Sequence, residues 1–300
     1  GDLVVQNARV RAIGEDAGGF RPISEKDLFD CEYWSLEQAK LGKGAPPKFQ
    51  GKIVMITGGS GTIGFAIAKA FSKLGAQTIL VDKDEIALKE SVTKLGVGHK
   101  YFPIDVTHSD AANQALLAAI NNFGGLDILI SNAGAAHAGP MLGISNEELR
   151  NAFELNFFSH YSFSTEAAKI LKDQNRGGQI LFNISKQAVN PGKNFGAYGL
   201  PKATTFFLMR QLALELGSDG IRVNGINADR IRSGLLTDDF ISSRAKSRGV
   251  SESEYMAGNL LNKEVTAEHV ADAFTALACA ESTTGHVMTV DGGNIEASLR

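Results

Sequence analysis

Cysteine is almost missing from this chain: Cys31 and Cys279 are the only two in 300 residues. So few thiols exclude a disulfide framework and fit a reducing compartment, so the expected localisation is cytoplasmic. Long apolar runs are missing too. None approaches the ~20 residues that span a bilayer, and no signal-peptide pattern opens the chain, so no membrane association is expected. Charge of one sign is equally scarce: 30 Lys and Arg against 33 Asp and Glu leave a net −3, which gives no reason to expect a nucleic-acid partner. None of the six histidines forms an HxxxH or similar ligand spacing, and no metal site is expected.

What is present is globular: 43% hydrophobic and 21% charged residues over a length that buries a full core. Residues 1–48 read as an arm and linker, and residues 49–300 as one domain. Within the arm, Asp2–Phe20 is Gly-rich and weakly patterned, Ser35–Leu41 suggests a short helix, and Gly42–Pro47 reads as a linker. Tyr33 and Trp34 are the expected anchors of the arm on the domain. The chain opens on Gly1 rather than Met, which reads as a piece of a longer protein.

From Lys52 onward, short apolar runs alternate with helix-length segments. Ile53–Ile56, Thr78–Val81, Lys100–Ile104, Asp127–Ile130, Gln179–Ile184, Arg222–Ile226 and His286–Val290 read as seven buried strands. Between them, Ile63–Leu74, Asn113–Asn122, Glu147–Asp173, Lys202–Leu216 and Ala267–Ala280 read as helices. The alternation predicts an α/β fold: a single Rossmann-like, doubly wound parallel sheet of about seven strands with helices on both faces.

The first strand runs into a Gly-rich turn, Gly58, Gly59, Ser60, Gly61, Thr62, Ile63 and Gly64, and then a helix. Glycines there let bare backbone approach a pyrophosphate, and the helix N-terminus supplies free N–H groups and a positive dipole end. Asp82 ends the second strand, 18 residues beyond Gly64. A carboxylate at that point accepts ribose hydroxyls of NAD and repels the 2′-phosphate of NADP, with Lys83 softening the repulsion. The bland alternative is that Asp82 caps the helix Asp84–Lys94. Asp105 and Val106 follow the third strand, where the adenine is expected; Asn132, Ala133 and Gly134 follow the fourth, where small residues let a cofactor lie on the backbone. NAD is the expected cofactor, ahead of NADP.

Ser185 ends the fifth strand, and 13 residues later Tyr198 and Lys202 stand at i and i+4, on one helix face. Pro201 between them belongs in a first helical turn, which places the helix start near Gly199. A free tyrosine, with a pKa near ~10, is a poor base at neutral pH; an adjacent ammonium is expected to favour its phenolate. The Ser185 hydroxyl can stabilise charge on a substrate oxygen, and Asn156 is expected to hold a water that relays the proton onward from Lys202.

With these motifs together, the chain from about Phe49 to Asn294 resembles a short-chain dehydrogenase/reductase of the single-domain branch. The resemblance implies Asn156 for the relay, Ser185 for polarisation, Tyr198 as acid/base, and Lys202 for the nicotinamide ribose and pKa tuning. It also implies a small-molecule substrate, a homodimer or homotetramer, and Ser233 as a hydroxyl serving the cofactor. Two departures stand out. Thr62 replaces the branch's usual middle glycine, and Asn227-Ala228-Asp229 replaces the usual Pro-Gly after the sixth strand. These, with the arm around Tyr33-Trp34-Ser35-Leu36 and the polar insert Ser233–Glu264, resemble the dehydrogenase domain of bifunctional rhamnulose-1-phosphate aldolase/dehydrogenase proteins. That likeness implies a covalently linked aldolase domain and lactaldehyde as substrate.

Two competing functions are a sugar-nucleotide epimerase or dehydratase, suggested by the TGxxGxxG spacing, and a non-catalytic dinucleotide sensor, which has no need of Asn156, Ser185, Tyr198 and Lys202 together. Of the remaining residues, Cys279 reads as core and His137 as a possible substrate contact. Asp229 and Arg230 read either as a structural pair or as substrate ligands. The Phe-rich helices (Phe153, Phe157, Phe158, Phe163, Phe206, Phe207) read as core or subunit contacts.

Overall fold

The computed structural model describes residues 2–19, 24–29, 46–136, 138–234 and 236–294. It divides into two compact units, residues 1–46 and 47–300. In the first, Asp2–Asp16 forms helix α1, where the sequence reading expected weak pattern. The described side chains of that helix are exposed nearly all round, so no amphipathic stripe announced it. Its glycines are gathered at the end, where Gly18 and Gly19 take positive φ. Tyr33, Trp34, Cys31 and the expected helix Ser35–Leu41 lie outside the described residues.

The second unit is built on seven parallel strands in the order β3-β2-β1-β4-β5-β6-β7. They are β1 Ile53–Thr57, β2 Gln77–Asp82, β3 Lys100–Pro103, β4 Ile128–Ser131, β5 Gly178–Asn183, β6 Ile221–Ala228 and β7 Val287–Val290. Every residue of β1 and β4 is buried, as a central strand covered on both faces requires. One apolar layer includes Phe163, Phe182 and Met209, and the layer on the other face includes Phe71, Leu80 and Phe274. The chain order reverses direction across the sheet between β1 and β4, which opens a crevice at their carboxyl ends.

Four helices position the site. Helix α2, Thr62–Lys73, follows β1. The expected single helix over Glu147–Asp173 is α3, Asn146–Phe153, and α4, Ser159–Gln174, joined by a π turn at Glu154–Phe158 that contains Asn156. Helix α5 spans Gly196–Leu216 and so begins three residues before the expected start, with Pro201 in its second turn. The first turn closes through Tyr198 N–H and Gly199 N–H, both donating to the Phe195 carbonyl. Pro201 therefore removes only one early helix bond, that to the Ala197 carbonyl.

Candidate active site

One cleft of about 1150 Å³ opens at the carboxyl ends of the strands. Gly58, Gly61, Thr62, Ile63, Gly64, Asp82, Lys83, Asp105, Val106, Asn132, Ala133, Gly134, Ser185, Tyr198, Lys202 and Ser233 all line it. Ser60 and Asn156 stand just behind the wall.

The turn after β1 is shaped by close backbone approach. Gly58 has φ +63, and a Cβ there would meet the Ala133 backbone at 3.0 Å. A Cβ on Gly64 would lie 2.1 Å from the Gly58 carbonyl, so α2 seats against the turn only with glycine at that position. Gly61 is the N-cap residue, and no side chain caps it. The first N–H groups of α2 thus face the cleft with the dipole end behind them, a cradle suited to a pyrophosphate. Thr62, the departure from the family's glycine, is the first residue of that helix and is exposed.

Asp82 is held at the end of β2 by backbone N–H groups of Lys83 at 2.8 Å, Ser60 at 3.3 Å and Asp84 at 3.4 Å. It is not the helix cap; Asp84 is, accepting from the Ala87 N–H at 3.0 Å. Asp105 accepts the Thr107 N–H at 3.0 Å and its hydroxyl at 2.7 Å. These bonds, the backbone one foremost, hold its carboxyl below the ordinary range. Asn132 ties three strands together: its Nδ2 donates to the Thr57 carbonyl at 2.9 Å, and its Oδ1 accepts from Asn183 Nδ2 at 2.8 Å.

Ser185, Tyr198 and Lys202 converge on the opposite half of the cleft. All three are buried, at 9%, 7% and 2% exposure. The Lys202 Nζ donates to the Asn183 carbonyl at 3.0 Å and lies 5.9 Å from the centre of the Tyr198 ring. Burial pushes the Tyr198 phenol up to about 12, against a side-chain hydrogen bond from Ser185 that pulls it down. Burial also brings the Lys202 ammonium down to about 7. The expected lowering of the Tyr198 pKa by its neighbour is thus reversed. The lysine is itself desolvated, so much of its charge, and the help that charge gives the phenolate, is lost.

The Asn156 side chain is held by backbone groups. Its Nδ2 donates to the carbonyls of Ala135 at 3.0 Å and Ala152 at 3.1 Å, and its Oδ1 accepts the Ala135 N–H at 3.3 Å. Its own carbonyl accepts from the Thr205 hydroxyl of α5 at 2.7 Å. The amide therefore braces the loop after β4, with both of its polar atoms engaged by backbone. The Ser233 hydroxyl, expected to serve the cofactor, donates to the Ile231 carbonyl at 3.1 Å.

Several residues in or beside the cleft escaped the sequence reading. His160, 1% exposed, sits one turn after Asn156 with its ring 3.3 Å from the Lys202 nitrogen. Its i+4 spacing from Asn156 was the available signal. Helix α6, Asp238–Arg248, and helix α7, Glu252–Met256, come from the polar insert and bring Phe240, Arg244, Arg248 and Tyr255 to the cleft. Asp229 pairs with Lys186 at 2.9 Å and Arg230 at 3.5 Å and accepts from Asn294 Nδ2 at 2.8 Å, so it is a structural junction. Arg230 is held with φ +52 and donates to the Tyr255 carbonyl at 2.7 Å. Cys279 is only partly buried and does not line the cleft. His137 lies outside the described residues. Among the described residues no helix is long and apolar enough to cross a membrane.

Residues 59–294 match a family model described as enoyl-(acyl carrier protein) reductase, and residues 1–41 match one for the second domain of class II aldolases. A Bacillus subtilis (strain 168) protein described as uncharacterized oxidoreductase YuxG is 34% identical over 291 residues. That match covers 92% of this chain and 42% of the relative, so the chain spans less than half of that protein's length. The 3-ketoacyl-(acyl-carrier-protein) reductase from Brucella melitensis, solved with NADH, superposes with a TM-score of 0.73 at 25% identity, covering 81% of this chain and 98% of that one. L-Sorbose reductase from Gluconobacter frateurii, solved with NADPH and L-sorbose, gives 0.76 at 27% identity, covering 83% and 98%. A Gly-rich cradle, a buried Ser-Tyr-Lys set in one cleft and a family match over most of the chain lead to one conclusion: this chain belongs to the short-chain dehydrogenase/reductase family of oxidoreductases.

Proposed function

We propose that this protein is an NAD-dependent dehydrogenase that moves a hydride between a small hydroxy compound or aldehyde and nicotinamide. The observation that carries the reading is the convergence of Ser185, Tyr198 and Lys202 in the cleft whose other half is the Gly58–Gly64 cradle. The cradle residues fit a dinucleotide: Gly64 admits no Cβ, and the uncapped N–H groups of α2 face the cleft. Asp82 would hold the adenosine ribose, and its charge disfavours a 2′-phosphate. The bound nicotinamide supplies the hydride acceptor or donor.

The protein's own residues handle the proton. In oxidation, Tyr198 takes the hydroxyl proton of the substrate, and in reduction it returns one to the carbonyl oxygen. The Ser185 hydroxyl donates to that same oxygen and stabilises charge developing on it. Lys202, fixed by the Asn183 carbonyl, supplies the positive field and a second proton-holding atom behind the phenol. Asn156 shapes the loop on which the cofactor lies.

Among uncharged aldehydes, lactaldehyde is the candidate we favour, within a protein that also carries an aldolase. The match of residues 1–41 to a class II aldolase domain supports that linkage. A homo-oligomer is supported by large apolar side chains left exposed on α4 and α5 and the π turn, among them Phe158, Tyr161, Phe207 and Leu214. The test of the catalytic reading is Tyr198→Phe. It should lower turnover on the order of 10²–10⁴-fold, the scale of a general acid–base group, while NAD binding is kept. Turnover at the wild-type rate would end the assignment.

A further inference from the structure

We infer that the substrate carries a negatively charged group, a carboxylate or a phosphate, seated on Arg244. The inference rests on the dehydrogenase reading above and deepens it. Arg244 lies on α6 and lines the same cleft as Tyr198. Its guanidinium carbon is 5.5 Å from the centre of the Phe195 ring and 5.8 Å from that of Phe240, and the two rings stand edge to face, 5.9 Å apart. Phe195 is the N-cap residue of α5, three positions before Tyr198, so the stack belongs to the substrate half of the cleft.

Two aromatic contacts on the guanidinium leave hydrogen bonding to the in-plane N–H edge. The Nε of that edge is buried, and no acceptor among the described residues reaches it. That nitrogen has almost no exposed surface, so an anion in the cleft would meet the terminal nitrogens of the guanidinium instead.

The surrounding charge is one-sided. Lys186, Lys193, Arg230, Arg244 and Arg248 all line the cleft. Of its carboxylates, Asp82 and Asp105 stand at the dinucleotide end and Glu154 on the π turn. Asp229 is shared between Lys186 and Arg230. Among the described residues no carboxylate forms an ion pair with Lys193, Arg244 or Arg248. Arg248 also carries its charge over an aromatic ring, that of Tyr255, at 5.3 Å. A planar, always-charged fork held rigid by aromatic rings suits bidentate binding of a carboxylate or phosphate.

The test compares matched pairs differing in charge. Lactate against lactamide reads the carboxylate arm, and glycerol 3-phosphate against glycerol reads the phosphate arm, with lactaldehyde as the uncharged aldehyde. NAD reduction gives kcat/KM for each alcohol. Affinity for the NADH-loaded protein, by calorimetry, gives a reading independent of turnover. The expected result is that the charged member of at least one pair is favoured about tenfold or more, the scale of charge-assisted hydrogen bonds. In Arg244→Gln that charged-to-uncharged ratio should fall by a similar factor, and Arg244→Lys should restore part of it. Thermal melts of both variants report whether the fold survives; should Arg244→Gln fail to fold, Arg244→Lys carries the comparison, with a weaker ratio expected as the fork is lost. Equal or better use and binding of the uncharged members, lactaldehyde included, would overturn the proposal. So would a charge preference unchanged in the Arg244 variants. A failed dehydrogenase reading looks different: Tyr198→Phe would then match the wild type while the calorimetric charge preference still reports on Arg244.

Discussion

The side-chain nitrogen of Lys202 lies 3.3 Å from Nε2 of His160, whose Nδ1 lies 2.6 Å from the Ser131 hydroxyl. With Lys202 protonated, the ammonium has only donors to offer, so Nε2 accepts from it and Nδ1 donates to the Ser131 hydroxyl oxygen. Burial, with the charge on Lys202 as a second cause, holds His160 neutral, its pKa well below the ordinary histidine value. His160 is thus a positioning residue, fixing the lysine from the side away from substrate. His160→Leu should lower kcat about tenfold and displace the pH profile of kcat, whereas His160→Gln, which keeps an acceptor, should recover part of both. A change in melting temperature with an unmoved pH profile would mean that the imidazole only fills space.

Asp82 should set cofactor choice. Three backbone N–H groups hold its carboxylate at the end of β2, where it would repel a 2′-phosphate on the proposed reading. Comparison of kcat/KM for NAD and NADP should favour NAD, and Asp82→Ala should narrow the gap. A clear NADP preference in the wild type would mean that Lys83 dominates.

Aldehyde oxidation, where it occurs, should not depend on cysteine. A thiol route needs a nucleophile in the cleft, and Cys279 packs beside the apolar layer around Phe274 instead. On a route without a thiol, Tyr198 deprotonates the hydrated gem-diol form, treating it as an alcohol. A Cys31→Ser/Cys279→Ser double variant and thiol alkylation should both leave most activity. Complete inactivation of a folded double variant would defeat this route.

The buried ammonium should make stability depend on pH with a definite sign. Burial brings the Lys202 ammonium down to about 7, against an ordinary 10.5. Between those values the unfolded chain holds more protons than the folded one, so this group makes stability rise with pH across that window. Tyr198, raised to about 12, acts oppositely, and only above pH 10. Urea unfolding between pH 7 and 9.5 should show a steeper rise for the wild type than for Lys202→Met, in which the difference isolates this residue. Parallel curves would mean that Lys202 keeps its proton in the fold.

Much of the fold was legible because its signals are local. Each of the seven strands is an apolar run bounded by turn residues, and each expected run overlaps the strand found, with ends differing by one or two residues. Helix α1 was missed for the complementary reason: it has no buried stripe to read. The π turn at Asn156 was invisible, since an extra residue in a helical turn leaves apolar spacing nearly unchanged.

For the site, the sequence by itself determined the chemistry on offer. The Gly-rich turn, Asp82, Ser185 and the i, i+4 pair of Tyr198 and Lys202 are all set by short-range spacing, and all but Ser60 and Asn156 of the expected site residues line the cleft. Only the tertiary structure decided what surrounds them. His160 meets Lys202 from 42 positions away, and Arg244 meets Phe195 from 49. Electrostatics followed the same division: the i, i+4 spacing puts an ammonium near a phenol, but burial, a property of the whole fold, drives the two pKa values apart, the phenol up and the ammonium down, and weakens the help that spacing alone promised.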